Sequence, residues 1–114
     1  MNVRRQIARW WRNTWARFGP RRRLRVVEGD SLPQRLPRRD LILARDDGED
    51  WCVGMRCPCG CGDVIELLVV AEAKPRWTLA TDAAGWPSLS PSVWRQKGCR
   101  SHFWLRGGRV HWCD

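Results

Sequence analysis

The stretch WCVGMRCPCGCGDVIELLVV, from Trp51 to Val70, decides the fold because its residue composition changes twice. Both ends are rich in β-branched and apolar residues, which is typical of half-buried strands. Between them, RCPCGCGD places Cys57, Cys59 and Cys61 at alternate positions, separated by proline and glycine. Because proline and glycine favour turns, we predict a β-hairpin with three thiols at its tip.

Two further strands are predicted before this hairpin. The segments RLRVVE (23–28) and DLILAR (40–45) are β-rich, and a connection with two prolines joins them. The loop DDGED follows the second segment, where Gly48 can take a positive φ in a tight turn. A chain of 114 residues fits one domain. We therefore predict a small, mainly β, antiparallel domain over residues 20–114.

A second group of cysteine and histidine residues lies in GCRSHFWLRGGRVHWC, from Gly98 to Cys113. Here Cys99 and His102 have the spacing Cys-x-x-His, and two adjacent glycines predict a hairpin turn that sets the register. The predicted pairs are Arg106–Arg109, Leu105–Val110, Trp104–His111, Phe103–Trp112 and His102–Cys113. One face of this hairpin is then apolar and the other carries candidate ligands. The predicted core face consists of Phe103, Leu105, Val110 and Trp112.

The two groups together predict a metal site. A Cys-x-Cys-x-Cys tip resembles a zinc knuckle, but a tetrahedral structural site needs four ligands, so both groups are required. We predict one Zn2+ ion held by four of six candidates, with Cys59, Cys61, Cys99 and His102 as the favoured set. The six candidates are Cys57, Cys59, Cys61, Cys99, His102 and Cys113.

Other uses of these residues stay open. The even number of cysteines would suit a disulfide framework in a secreted protein, and Cys-x-x-His is also half of a Rieske iron–sulfur site. Zinc is favoured because cytosolic thiols stay reduced and because the second histidine of a Rieske site is missing, with only cysteine in its place. Cys52 is expected to be a buried, inert thiol and His111 a surface residue.

The positive charge is concentrated at the N-terminus. Residues 1–27 contain nine arginines and no acid, which equals the whole net charge of +9. Within residues 1–19, apolar residues recur at three- and four-residue steps, which predicts a basic amphipathic helix. Such a helix would bind nucleic acid or an anionic membrane surface through residues 1–25, or pack on the domain.

The expected compartment follows from what the chain lacks. No apolar run approaches the roughly 18 residues of a membrane span, and arginines interrupt the N-terminal apolar residues, unlike a secretory signal. We therefore expect a cytoplasmic protein without a transmembrane segment.

Four segments carry a resemblance to a known family: DGEDWCVGMRCPCGCGDVIEL, KPRWTL, PSLSPSVW and GCRSHFWLRGGRVHWC. Together, over about residues 23–113, they resemble a family of small bacterial and phage proteins classed as a domain of unknown function. Members of that family are often encoded beside ubiquitin-like modifiers, activating-enzyme homologues and deubiquitinase-type metallopeptidases. The resemblance implies a metal-binding accessory protein, and its motif falls on the same six candidate ligands.

These features predict a non-catalytic, zinc-binding adaptor that binds a protein partner, within a ubiquitin-like pathway as the resemblance implies. The alternative is a zinc-stapled nucleic-acid-binding protein that uses its arginine-rich arm. No phosphate loop, hydrolase elbow or placed general base argues for an enzyme. One catalytic alternative stays open, in which Cys113 is a nucleophile opposite His102.

Overall fold

The structure is a computed structural model, and it describes Ile7, Trp10 and residues 20–113. Eight strands form two four-stranded sheets, with sheet A in the order β1-β2-β3-β4 and sheet B in the order β5-β6-β7-β8. The strands are β1 Leu24–Glu28, β2 Leu41–Asp46, β3 Glu49–Arg56, β4 Val64–Leu68, β5 Thr78–Thr81, β6 Pro87–Trp94, β7 His102–Arg106 and β8 Arg109–Trp112. The mainly β character predicted from the sequence is confirmed.

The predicted fold class is nevertheless wrong in its N-terminal helix. The elements of the described chain are strands, with no helical element among them. Apart from Ile7 and Trp10, residues 1–19 lie outside the described residues. A short helix gains most of its stability by packing its apolar face, and these two members of the predicted stripe are 51% and 59% exposed. Periodicity alone therefore gave the wrong fold class.

The expectation of a purely antiparallel domain is also wrong. The first strand pairs in parallel with the second, with Leu24 opposite Leu41 and Glu28 opposite Arg45. Parallel neighbours need a crossover of about a dozen residues, and the proline-containing segment 29–40 supplies that length. The amide of Arg23 and the guanidinium of Arg25 both donate to the Asp40 carboxylate, which fixes the end of this crossover beside β1.

The remaining pairs of strands are antiparallel, and three of them, β2–β3, β3–β4 and β7–β8, are hairpins expected from the sequence. Strands β3 and β4 pair from Cys52–Leu68 to Arg56–Val64, which leaves residues 57–63 as the tip. In β7–β8 the glycine turn sets the predicted register, from Arg106–Arg109 to Phe103–Trp112. The cysteine-bearing loops therefore begin where the paired strands end, and they take no part in the backbone hydrogen bonding of the sheets.

One hydrophobic cluster joins the inner faces of the two sheets. Sheet A contributes Leu41, Leu43, Val53 and Met55, each no more than 1% exposed. Sheet B contributes Leu89, Val93, Phe103, Leu105 and Val110. Each fully buried side chain of this size contributes about 1.5 to 3 kcal/mol by removal from water. The shared core therefore fixes the two sheets against one another and brings their loops together.

The segment before β1 packs against the turn of sheet B. The amide of Arg22 donates to the carbonyl of Gly108, and the guanidinium groups of Arg21 and Arg23 lie over the Trp86 ring. Arg22 is 9% exposed, and its burial lowers the pKa of the guanidinium to about 10. Three arginines of the predicted basic arm thus contact the domain itself.

The described part of the chain has no helix with the length and apolar character that a bilayer crossing requires.

Candidate metal centre and the neighbouring serine–histidine pair

The tip of the β3–β4 hairpin turns its thiols to one side. The amide of Cys57 donates to the carbonyl of Asp63 across the base of the tip, and the amide of Gly60 donates back to Cys57. Gly60 and Gly62 have φ values of 87° and 88°, a region that side chains with a Cβ rarely adopt. The two glycines let the backbone reverse between successive cysteines, so that alternate thiols converge instead of pointing apart.

The fourth thiol comes from the other sheet. Cys99 lies in the β6–β7 turn, and its Sγ atom is 3.5 Å from that of Cys57, while Cys57 and Cys59 are separated by 3.4 Å. The sulfur atoms of Cys57, Cys59, Cys61 and Cys99 all lie within 4.8 Å of one another. Sulfurs bound tetrahedrally at about 2.3 Å from an ion would be about 3.8 Å apart. These four cysteines could therefore hold a metal ion.

Polar groups around the sulfurs favour thiolate at one of them. The hydroxyl of Ser101 lies 3.2 Å from Cys99 Sγ and also receives a contact from Cys57 Sγ at 3.6 Å. Hydrogen bonding to Ser101 lowers the pKa of Cys99 to about 6, whereas burial raises the pKa of Cys59 to about 12. Because only a thiolate is a strong metal ligand, this environment favours the ligand form of Cys99.

Arg95 brings a positive charge to the edge of the cluster. Its Nη1 atom donates to the Asp63 carboxylate at 3.1 Å and lies 3.8 Å from Cys61 Sγ and 3.7 Å from Cys99 Sγ. A charge-assisted contact of this kind stabilises a thiolate and connects the hairpin tip of sheet A to the turn of sheet B.

The structure separates the six predicted ligands. Four are the cysteines of the cluster, whereas Cys113 and His102 stand outside it among the described residues. The amide of Cys113 donates to the carbonyl of His102 at 2.9 Å, which continues the predicted hairpin register by one pair. Cys52, expected to be an inert thiol, is 2% exposed, and burial raises its pKa to about 11.

His102 contacts a serine that the sequence analysis did not single out. Its Nε2 atom lies 2.9 Å from the Oγ atom of Ser92, and both residues are half-buried. The Trp94 ring stacks on the imidazole, with ring centroids 5.0 Å apart and planes inclined by 15°. A hydroxyl beside an imidazole nitrogen at this distance is the arrangement of a nucleophile and its general base.

The pair stands on the outer face of sheet B. Strands β6 and β7 bury Val93 and Phe103 inward, so that their neighbours in sequence, Ser92, Trp94 and His102, face outward. Trp94 is 59% exposed. His111 lies on the exposed face of β8, as predicted. The cysteine cluster and the outward pair therefore both include residues close to the β6–β7 turn but face different surroundings.

The pairing of β6 with β7 is irregular next to Ser92. The register shifts between Leu89 and Val93, where four positions of β6 pass only two of β7, from Leu105 to Phe103. Bulges are frequent beside active sites, and a proline inside a strand is a sequence signal for one. Pro91, in the segment PSLSPSVW, was that signal, and it directly precedes the serine missed by sequence reasoning.

Comparison with known proteins shows the family to which the chain belongs. No curated protein and no solved structure matches the chain. The model of a family described as bacterial ubiquitination-like system serine protease (BubE) matches residues 28–113, which include both cysteine groups and the serine–histidine pair. This match covers most of the chain, and the protein therefore belongs to the BubE family of a bacterial ubiquitination-like system.

Proposed function

We propose that the chain is a serine protease acting in a bacterial ubiquitination-like system, with Ser92 as the nucleophile and His102 as its general base. The observation that carries this proposal is the 2.9 Å separation of Ser92 Oγ and His102 Nε2 on an accessible face of sheet B. The description of the matching family supports it independently. The substrate we propose is a protein of the same system.

The chemistry follows from the two side chains. As Ser92 Oγ attacks the scissile carbonyl carbon, its proton moves to His102 Nε2. The imidazolium gives that proton to the leaving amine as the C–N bond breaks, which leaves an acyl ester on Ser92. Water then loses a proton to Nε2 and attacks the ester, and Ser92 Oγ recovers the proton when the acid product leaves.

His102 must keep one orientation for this chemistry. For Nε2 to accept the serine proton, the neutral ring must carry its own proton on Nδ1. Within residues 20–113 no carboxylate is hydrogen-bonded to His102, so the ring is oriented by its stacking on Trp94 and by the contact with Ser92. We therefore propose a dyad in which an aromatic ring restricts the base.

The metal in this proposal is a structural zinc ion held by Cys57, Cys59, Cys61 and Cys99. Four thiolates are a typical ligand set for structural zinc and leave no coordination position for water or substrate. Zinc would therefore stabilise the two loops and take no part in bond cleavage. Elemental analysis should find one zinc per chain, and iron with acid-labile sulfide would contradict this identity.

A serine-directed probe tests the protease proposal. We expect a fluorophosphonate to add one label to the wild-type chain at Ser92, located by peptide mass spectrometry. Ser92→Ala should not be labelled. Its peptidase activity should fall by at least about 1,000-fold, as happens when the nucleophile of a serine protease is removed. His102→Gln should slow labelling by a similar factor.

Ser90 provides the matched control because it is an exposed serine on the same strand. Ser90→Ala should label and cleave like the wild type. Labelling of the wild type at any other serine, or full activity of Ser92→Ala, would refute the assignment.

The second candidate function is the non-catalytic adaptor, which remains a prediction. The 59% exposure of Trp94 favours it, since exposed tryptophans are frequent anchors of protein interfaces. An adaptor should retain its protein partner in Ser92→Ala and in moderate salt. The nucleic-acid alternative predicts instead a complex whose affinity falls steeply with added salt.

A further inference from the structure

Arg95 connects the cysteine cluster to Ser101, the residue that directly precedes His102. The side chain of Arg95 reaches the sulfur cluster and Asp63, and it is only 20% exposed. The amide of the same residue donates to the carbonyl of Ser101 at 2.8 Å. One residue thus contacts the cluster by its side chain and closes the β6–β7 turn by its backbone.

The turn closed by this hydrogen bond connects the strands that carry the two residues of the pair. Ser92 lies on β6 before the turn and His102 begins β7 immediately after Ser101. The Ser101 hydroxyl is in contact with Cys57 and Cys99, so both ends of the turn are held against the cluster. A movement of the sulfurs would therefore be transmitted to the base of the strand that carries His102.

Electrostatics gives Arg95 a role that depends on metal. Four thiolates around a divalent cation leave a net charge of about −2, which attracts the guanidinium at the edge of the cluster. Partners outside the ligand shell typically affect metal affinity by about 10- to 100-fold. A displacement of about 1 Å between reacting groups can cost about 100-fold in rate.

We propose that Arg95 is a positioning residue that couples metal binding at the four cysteines to the geometry of Ser92 and His102. The serine–histidine pair thus keeps the distance between Ser92 Oγ and His102 Nε2 only when the cluster binds metal and the guanidinium contacts it. The catalytic part of this inference rests on the proposed protease function, whereas the effects on metal affinity and on the His102 ring do not.

The test uses Arg95→Met, which keeps the aliphatic length and removes the donors, and Arg95→Lys, which keeps the charge. Competition with a chromogenic chelator should show a 10- to 100-fold lower zinc affinity for Arg95→Met and a smaller loss for Arg95→Lys. For peptide cleavage, kcat should fall by a similar factor while KM changes less than twofold. Arg76→Met is the matched control because Arg76 binds the Val69 carbonyl, and it should alter none of these quantities.

Imidazole 15N NMR reads the same coupling without activity. The chain has two histidines, and His111 is an exposed internal reference. Arg95→Met, measured with zinc in excess, should shift the His102 ring resonances and leave those of His111 unchanged. If His102 and zinc affinity respond as stated but Ser92 never reacts, the protease proposal fails and the coupling stands. If Arg95→Met weakens zinc binding while the His102 resonances of the zinc-bound variant stay constant, the coupling is overturned.

Discussion

The two sheets differ in what their loops carry. The β3–β4 tip of sheet A supplies three closely spaced thiols. Sheet B supplies one thiol, Cys99, together with Ser92 and His102 on its outer face. The proposed metal ligands and the proposed reactive pair are thus largely divided between the sheets, and the β6–β7 turn is where they meet. A substitution in one sheet therefore tests how far its effect passes through this turn to the other.

The largest expected effect comes from breaking the link between the sheets at Cys99. Structural zinc contributes on the order of 10 to 16 kcal/mol to folding in small peptides. Cys99→Ser should therefore lose zinc and give an unfolded or aggregating chain by circular dichroism and light scattering. Cys113→Ser changes the same residue type in sheet B outside the cluster, and it should retain one zinc per chain. A folded, zinc-loaded Cys99→Ser protein would contradict the assigned ligand set.

The second-largest loss of stability is expected from a substitution at one glycine in sheet B. Gly108 has a φ of 75°, and a Cβ there would lie 2.6 Å from the backbone carbonyl oxygen of Arg22. Gly108→Ala should destabilise the fold by about 2 to 5 kcal/mol, from left-handed backbone strain and overpacking. Thermal unfolding measures this change.

Gly85→Ala is the control for backbone strain alone. Gly85 has a φ of 88°, and a Cβ there would meet nothing within 4 Å. Its cost should therefore be only the left-handed term of about 1 to 2 kcal/mol. Equal losses for the two variants would mean that the contact with the segment before β1 carries no stability.

The corresponding change in sheet A should cost less. A Cβ on Gly54 would lie 2.5 Å from a terminal methyl of Leu32, but that side chain can rotate away, and Gly54 has an ordinary strand φ. We expect Gly54→Ala to lower the free energy of unfolding by no more than about 2 kcal/mol, because Ala also restricts the unfolded chain. A loss larger than that of Gly108→Ala would reverse the ranking of the two sheets.

Deleting residues 1–19 should have the smallest effect on stability. Ile7 and Trp10 are exposed, and the Arg22 contact to Gly108 would remain in the shortened chain. The melting temperature should therefore change by less than about 4 °C, which corresponds to about 1 kcal/mol. Any binding to DNA, RNA or anionic vesicles should be lost with the arm. A larger drop would show that the deleted segment packs on the domain.

Local patterns in the sequence were sufficient for the hairpins. Gly107 and Gly108 fix a two-residue turn, and the register of β7–β8 follows from counting outward. In the same way, alternate cysteines with glycines between them predicted a tip whose thiols converge. These features depend on contacts between residues near in sequence, so a short window contains the information.

The parallel β1–β2 pair and the Ser92–His102 contact depend on more distant parts of the chain. Strand direction is decided by where the crossover returns, which residue composition does not specify. The serine reaches His102 because β6 carries two more residues than β7 between paired positions. His102 was assigned to the favoured ligand set from its Cys-x-x-His spacing, and that spacing did not reveal the neighbouring hydroxyl. Periodicity within residues 1–19 is likewise a local pattern and does not specify what such a segment would contact.

The contact between Cys57 and Cys99 also bears on the order of folding. These two thiols are 42 residues apart in sequence, and the segment between them includes strands from both sheets. A crosslink closing a loop of that length restricts the unfolded chain by about 4 kcal/mol in the chain-entropy description. The β3–β4 tip supplies three of the four thiols from one hairpin, so a metal bound there first would leave one coordination position for Cys99. Capture of that thiol would then be a late step that completes the assembly of the two sheets.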